Sequence, residues 1–297
     1  MRATHFSPSH DVLSRRLLRM SALVLTLVLC AALLHASWNA LLKSSADPLA
    51  SLAVMTIGAG LGALPLIVLL PLPLPASWPF IALSAVLHTG YNLFLIRAYR
   101  IGDFSQSYPI ARGSSPLLVT LGAAFFVNEQ MGLMTLLGVV LISVGIISLA
   151  HVRNRTNLAG PIAAFTTGAF IAAYTITDGM GARAAGDALS YCGWLFVLDS
   201  IPLALIYLWR HRRLPIAMDG KATWIALAGG VMSLLAYGIV IWAVTLAPMG
   251  TVSALRETSV LFAALIGWLF LGEKLSMRRI LSCLLITIGA VVLGLHL

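Results

Sequence analysis

The most constraining feature of this sequence is a long stretch without formal charge. No Asp, Glu, Lys or Arg occurs from Pro48 to Ile96, and a second uncharged stretch runs from Ala222 to Leu255. A membrane-spanning helix needs roughly 20 mostly apolar residues, so each stretch is too long for one span, and the second has a break near Pro248 and Gly250. Proline interrupts a helix interior, and Pro71, Pro73 and Pro75 divide the first stretch. Both stretches therefore predict pairs of transmembrane helices.

Composition extends this prediction to the whole chain. Of 297 residues, 60% are hydrophobic and only 10% are charged, with a mean hydropathy of +0.96. Soluble domains average roughly 45–50% apolar and about 25% charged residues. The remaining polar residues are too few to cover a water-facing surface, which excludes a soluble enzyme, a nucleic-acid-binding protein and a disordered scaffold. The net charge of +9 is accordingly interpreted as a membrane-topology signal.

An all-α fold of ten transmembrane helices follows when the count is extended outward from these stretches. The connections are short, the longest being Trp209–Ala222, so we expect no extramembrane domain. The predicted spans are 21–42, 49–70, 78–99, 105–127, 132–150, 158–180, 189–208, 223–246, 251–271 and 277–295.

Residues 1–19 are interpreted as a polar tail before the first span. The basic segment Arg15–Arg19 followed by apolar residues is also typical of signal peptides. However, the apolar run continues through Trp38 and Asn39, which fits a full span better. Met20 is an alternative start, from which the chain would enter the first span directly.

Orientation is predicted from the distribution of basic residues. Most Lys and Arg fall in the loops that follow odd-numbered spans, whereas the other side carries Arg183 and the arginines of the tail. The positive-inside rule then favours both termini outside, although the arginines of the tail favour the opposite orientation. We expect a multi-pass protein of the inner or plasma membrane.

The chain also resembles itself at a shift of 144 residues (256 − 112). The shift predicts two five-span halves, 20–150 and 158–297. Because five is odd, the second half enters the membrane from the opposite side, as in the inverted repeats of secondary transporters, whose substrate sites lie near the midplane. The aligned pairs are Arg112 with Arg256, Ser115 with Ser259, Phe126 with Phe270, Glu129 with Glu273 and Gly145 with Gly289.

The motifs in these halves resemble the EamA-type repeats of the drug/metabolite transporter superfamily. Asn128 stands where the second half has Gly272, a departure from the usual Gly-Glu. The residues at 35–39 and 174–178 also resemble a subgroup associated with phosphonate utilisation. The superfamily resemblance implies a single-chain carrier of small metabolites that works without ATP, often as an exporter. The matching segments are His35–Lys43, Ala98–Gly102, Tyr108–Pro116 running to Glu129, and Ser253–Lys274.

Polar residues that share a helix face inside the spans are the candidates for substrate binding. Charged groups at a helix centre in a bilayer cost about 2.5–3.5 kcal/mol, so those that remain should line a cavity or be paired. The candidates are His35, Trp38, Asn39, His88, Tyr91, Asn92, Tyr108, Arg112, Tyr174, Asp178, Trp242, Arg256 and Glu257.

Structural roles are the alternative for each candidate. The arginines could cap backbone carbonyls or pair with Asp178 or Glu257, and the aromatic side chains could simply pack between helices. Glu129 and Glu273 are interpreted as anchors of loop geometry. Asp199 has no counterpart in the other half and no charged neighbour in sequence, so no role is assigned to it.

Charge placement suggests a substrate class. Arg112 and Arg256 in a cavity would favour an anionic group, and Glu257 or Asp178 would then complement an ammonium. We therefore expect an amino acid, a related zwitterion or an organic anion, with no catalytic residue and no cofactor. The cysteines Cys30, Cys192 and Cys283 lie singly in apolar runs and predict neither a disulfide framework nor a metal site.

The sequence thus predicts a secondary transporter, exporter or importer, that works by alternating access, with protons as an optional coupling ion. The expected partners are a small-molecule substrate and the lipid bilayer, with no nucleic acid and with a monomer or weak dimer as the assembly. A membrane sensor or scaffold without transport is the first alternative. A membrane-embedded enzyme is the second, although no zinc-binding pattern of the His-Glu-x-x-His type occurs.

Overall fold

The computed structural model describes residues 10–43, 47–101, 104–150, 158–212, 215, 220–271 and 276–296. Within these residues the protein is all-helical, which confirms the predicted fold class. The elements are α1 (His10–Lys43), α2 (Pro48–Leu69), a 3-10 turn (Pro75–Ser77), α3 (Trp78–Ile101), α4 (Phe104–Val127), α5 (Leu133–Ile147), α6 (Ala159–Ala184), α7 (Ala188–His211), α8 (Gly220–Ala243), α9 (Met249–Arg256), α10 (Ser259–Leu271) and α11 (Met277–Leu295).

The predicted spans correspond to these helices, with three differences. Nine segments of the described chain are long and apolar enough to cross a membrane, and α5 is a shorter apolar helix of 15 residues. The ninth span is two helices, α9 and α10, separated at Glu257 and Thr258. Helix α1 begins at His10, inside the predicted tail, and residues 1–9 of that tail lie outside the described residues.

Short polar residues between the spans begin several helices. The Asp47 carboxylate accepts hydrogen bonds from the backbone N–H groups of Leu49 and Ala50, both at 3.1 Å, and Pro48 occupies the first turn. Asp187 caps α7 through the N–H of Ser190 at 2.6 Å. These caps satisfy N–H groups that have no partner inside the helix. They explain why α2 begins directly after Asp47 and α7 directly after Asp187.

Contacts between helices have a two-fold pattern. In the repeat, α1 corresponds to α6 and α3 corresponds to α8. The α3–α6 contact therefore has its counterpart in the α8–α1 contact, and both contacts occur. The α2–α7 and α5–α11 contacts map onto themselves, and both are extensive. Two halves of equal architecture are therefore packed against each other, as the inverted repeat predicts.

Glycines allow the close approach of α5 and α11. A Cβ atom on Gly289 in α11 would lie 2.8 Å from the Gly138 carbonyl oxygen and 3.0 Å from the Ile142 nitrogen of α5. A Cβ atom on Gly145 in α5 would similarly lie 3.1 Å from the Ser282 oxygen of α11. Small residues let helix backbones come together where lipid supplies no hydrophobic driving force. The repeat-related glycines therefore hold the α5–α11 contact.

We predict that Gly289→Leu destabilises the folded protein, because its side chain would collide with the α5 backbone. Overpacking typically costs about 1–3 kcal/mol, so the melting temperature in detergent should fall by several degrees. Gly132→Ala is the matched control, since no atom lies within 4 Å of a Cβ there. Equal melting temperatures for the two variants would contradict the packing role.

Candidate functional site

A cavity of about 90 Å³ lies between the two halves, in the middle of the spans. A single water needs a cavity volume of about 10–15 Å³. The cavity therefore has room for several waters or for a small solute. Helices α1, α2, α3, α6, α7, α8 and α9 contribute to it. Its lining residues are His35, Trp38, Leu52, Met55, Thr56, Ala59, His88, Tyr91, Asn92, Tyr174, Phe196, Asp199, Ser233, Tyr237 and Arg256.

Aromatic rings form much of the cavity wall. The His88 ring stacks on Tyr174 with 4.0 Å between centroids, and Tyr237 meets His88 edge-on at 5.6 Å. Tyr91 meets Tyr174 edge-on at 5.7 Å. The Nδ1 atom of His88 lies 3.1 Å from the Ser84 hydroxyl. These contacts join α3, α6 and α8, so rings from both halves form one wall.

Two arginines and a glutamate form a buried charge cluster beside the cavity. Arg112 Nε lies 2.7 Å from one oxygen of Glu257, and Arg256 Nη2 lies 3.3 Å from the other. All three residues are at most 3% exposed. Arg256 lines the cavity, and its guanidinium carbon lies 5.9 Å from the centroid of the Tyr237 ring. The cluster carries one more positive than negative charge.

The backbone around each arginine departs from a regular helix at matching positions. Pro116 has no N–H, so the Arg112 carbonyl loses its helical donor, and the Ser115 hydroxyl donates to that carbonyl at 3.2 Å instead. In the second half the chain turns between α9 and α10, where the Val260 N–H donates to the Glu257 carbonyl at 3.1 Å. Irregular backbone in a membrane is tolerated where the protein buries it. At both positions the irregular backbone lies beside a buried arginine of the charge cluster.

Asp178 belongs to a second polar cluster. Its two carboxylate oxygens accept hydrogen bonds from the Tyr191 hydroxyl at 2.9 Å and the Tyr237 hydroxyl at 2.6 Å. Asp178 itself does not line the cavity, but Tyr237 does. The carboxylate is thus linked to the cavity wall through one phenol.

Some polar atoms at the cavity have no hydrogen-bond partner among the described residues. They are the Trp38 Nε1 atom, the Arg256 Nε atom and the Asp199 Oδ1 atom. Buried polar groups are almost always hydrogen-bonded in folded proteins. Three residues of the cavity lining therefore carry buried polar atoms that the described residues leave without a hydrogen bond.

The structure places the predicted binding residues in three groups. His35, Trp38, His88, Tyr91, Asn92, Tyr174 and Arg256 line the cavity. Arg112, Glu257 and Asp178 adjoin it through the two polar clusters. Three residues have other surroundings: Asn39 donates to the His35 carbonyl at 2.8 Å, and Tyr108 and Trp242 pack against a hydrophobic core.

Several lining residues were not predicted from the sequence. They include Phe196 in α7 and Ser233 and Tyr237 in α8; the four-residue spacing of Ser233 and Tyr237 was the signal that could have found that pair. Asp199 was assigned no role, although an acidic residue inside a span is itself a signal of function. The 144-residue shift aligns Asp199 with an apolar residue, Met55, which lines the same cavity.

An ion pair also connects the two halves near a membrane face. Arg183 Nη2 at the end of α6 lies 2.6 Å from Glu129 Oε1 and 2.7 Å from the Val244 carbonyl. The other Glu129 oxygen accepts from the Met249 N–H at 2.9 Å. We call this group, Glu129 and Arg183 with the backbone at 244–249, the inter-half latch. It lies where α4, α6 and α8 end, which we call the latch face.

The latch depends on how α4 ends. Asn128 adopts the left-handed conformation with φ of 54°, and the Glu129 N–H donates to the Ala123 carbonyl at 3.2 Å. Asn, like Gly, tolerates the left-handed position that ends many helices, so Asn128 serves here in place of glycine. Glu129 anchors a loop, as predicted. Its counterpart Glu273 lies outside the described residues.

Comparison with known families decides the class. The profile of the EamA-like transporter family matches residues 22–150 and again residues 158–295. The chain belongs to the EamA-like transporter family. It is a multi-pass membrane transporter of the drug/metabolite type, and its two halves are EamA repeats. The match does not separate subgroups, so the phosphonate-associated likeness stays a prediction.

Solved structures agree on the fold. Twenty-nine chains match, and one of them, titled "Crystal structure of protein", has a TM-score of 0.71 over 92% of this chain and 96% of its own. The sequences are 17% identical, so this likeness shows the fold alone. No curated protein matches the sequence.

We predict that Glu257→Gln strongly destabilises this EamA protein, because two buried guanidinium groups would lose the carboxylate that they share. Breaking a buried ion pair on one side costs about 3–5 kcal/mol, which thermal unfolding in detergent would detect. The additional substitution Arg112→Gln should recover part of the lost stability, because it removes the repulsion between the two guanidinium groups. Unfolding of the single variant at the wild-type temperature would contradict this account of the cluster.

Proposed function

We propose that the protein is a secondary transporter that carries a small polar metabolite across the membrane by alternating access. The observation that carries the proposal is the cavity at mid-membrane, which both halves line with aromatic and polar side chains. Inverted-repeat transporters bind substrate near the midplane at the interface of their repeats. Membership of the EamA-like family supports transport, and the cavity supports a polar substrate.

The substrate carries an anionic group in this proposal. Arg256 lines the cavity with an Nε–H that has no partner among the described residues. The Arg–Glu–Arg cluster has an excess positive charge, and Arg112 supports Arg256 by sharing Glu257. A guanidinium in a water-poor site binds carboxylates, phosphates and phosphonates through charge-assisted hydrogen bonds. Amino acids, related zwitterions and organic anions meet this requirement.

Alternating access requires that the contact between halves opens on each membrane face in turn. The inter-half latch joins the end of α4 in the first half to α6 and the 244–249 backbone in the second. We propose that it is the gate of the latch face and that it separates when the cavity opens there. Asp178 is the proposed coupling carboxyl, because its hydrogen bond to Tyr237 links it to the cavity wall.

Transport by purified protein in liposomes tests the proposal. We expect one class among labelled amino acids, phosphonates and organic anions to move, and a pH gradient to drive that movement if protons are coupled. Arg112→Ala and Arg256→Ala should lose transport, while Arg210→Ala, at the exposed end of α7, should keep it. Transport retained by folded Arg256→Ala would refute the anion-binding role. Absence of any movement by correctly inserted wild-type protein would favour the sensor alternative.

The gate has its own test. A cysteine at Ser233, which lines the cavity, can be labelled in a background without the native cysteines. Glu129→Gln weakens the ion pair to Arg183, so we expect a membrane-impermeant thiol reagent to react several-fold faster from the latch face. Asp187→Asn is the control on that face, since asparagine retains the helix cap. An unchanged labelling rate in Glu129→Gln would show that the latch is not a gate.

A further inference from the structure

We propose that Asp199 is the acceptor for an ammonium group, so that the cavity takes a molecule with a cationic and an anionic end. This inference rests on the proposed transport function and deepens it by assigning the second half of the substrate. The sequence-based hypothesis gave that role to Glu257 or Asp178. The contacts around each acidic residue point to Asp199 instead.

The other acidic groups near the cavity are occupied. Both oxygens of Glu257 face arginines, at 2.7 Å and 3.3 Å, and neither lines the cavity. Both oxygens of Asp178 accept hydrogen bonds from tyrosines. An ammonium could bind these carboxylates only by displacing existing partners.

Asp199 differs from Glu257 and Asp178 in its position at the cavity and in the hydrogen bonding of its carboxylate. It lines the cavity and is 8% exposed, and its Oδ1 atom has no hydrogen-bond partner among the described residues. Of the described titratable groups, His88 and Asp178 are near enough to interact with it electrostatically, and the Nδ1 atom of His88 lies 3.1 Å from the Ser84 hydroxyl. A buried carboxylate oxygen without a donor is an incomplete site. An ammonium supplies up to three donors and the opposite charge.

The walls between Asp199 and Arg256 suit such a ligand. Phe196, Tyr174 and Tyr237 line the same cavity, and aromatic faces attract ammonium groups. Arg256 lines the same cavity and brings the positive charge that an anionic group requires. The lining of the cavity thus includes one acidic side chain, Asp199, and one basic side chain, Arg256. A volume of about 90 Å³ restricts the bound portion to a small head group such as that of an amino acid.

Matched solutes test this assignment in liposomes. Each labelled amino acid of a panel is compared with the carboxylic acid that lacks its amino group and with the amine that lacks its carboxylate. The proteins are the wild type, Asp199→Asn, Asp199→Glu and the control Asp187→Asn. Asp187 lies at the start of the same helix outside the cavity, and asparagine preserves its capping role.

The wild type and Asp187→Asn should prefer the amino acid of at least one set over both of its partial analogues. Asp199→Asn should lower that preference over the carboxylic acid at least tenfold, and Asp199→Glu should restore part of it. Unchanged preference in Asp199→Asn, or equal transport of acid and amino acid by the wild type, would overturn the ammonium site while leaving the transporter intact. Failure of the inserted wild type to move any solute would overturn the transport function and this inference with it.

Discussion

Two guanidinium groups and one carboxylate share the centre of this membrane protein, and their burial constrains everything around them. An isolated charge in this position would be strongly unfavourable, so Arg112, Arg256 and Glu257 must remain together. Arg112 comes from the first half of the chain and the other two residues from the second. The ion pairs therefore tie α4 to the α9–α10 junction. Because they leave a positive charge in excess, they also determine which ligands the neighbouring cavity favours.

The irregular backbone follows from the same constraint. An arginine in a continuous span would have its carbonyl bonded within the helix and its side chain directed by the helix face alone. Here Pro116 and the turn at Glu257 and Thr258 interrupt the bonding just after each arginine. Side-chain hydroxyls of Ser115 and Thr258 satisfy nearby carbonyls. Helical bonding is thus relaxed near the arginine of each half, by a proline inside α4 and by a turn between α9 and α10.

Local patterns in the sequence were enough to predict much of this architecture. Apolar run lengths predicted the spans, and the 144-residue shift aligned the two arginines whose positions the structure brings together around Glu257. Interactions between distant helices were not predictable in this way. Tyr191 and Tyr237 reach Asp178 from two other helices, and no spacing within α7 or α8 signals that contact. Asp199 was dismissed because its sequence neighbours are uncharged, although its environment is set by other helices that line the cavity.

The α5–α11 contact is symmetric between the two halves. The pairing of Gly289 with Gly138 and Ile142 corresponds, at the 144-residue shift, to the pairing of Gly145 with Ser282 and Ile286, and both occur at nearly the same separations. Each half thus presents the same patch to the other: Gly289 faces Gly138, and their counterparts Gly145 and Ser282 also face each other. Such a self-complementary surface is the isologous interface of a two-fold homodimer, here contained within a single polypeptide.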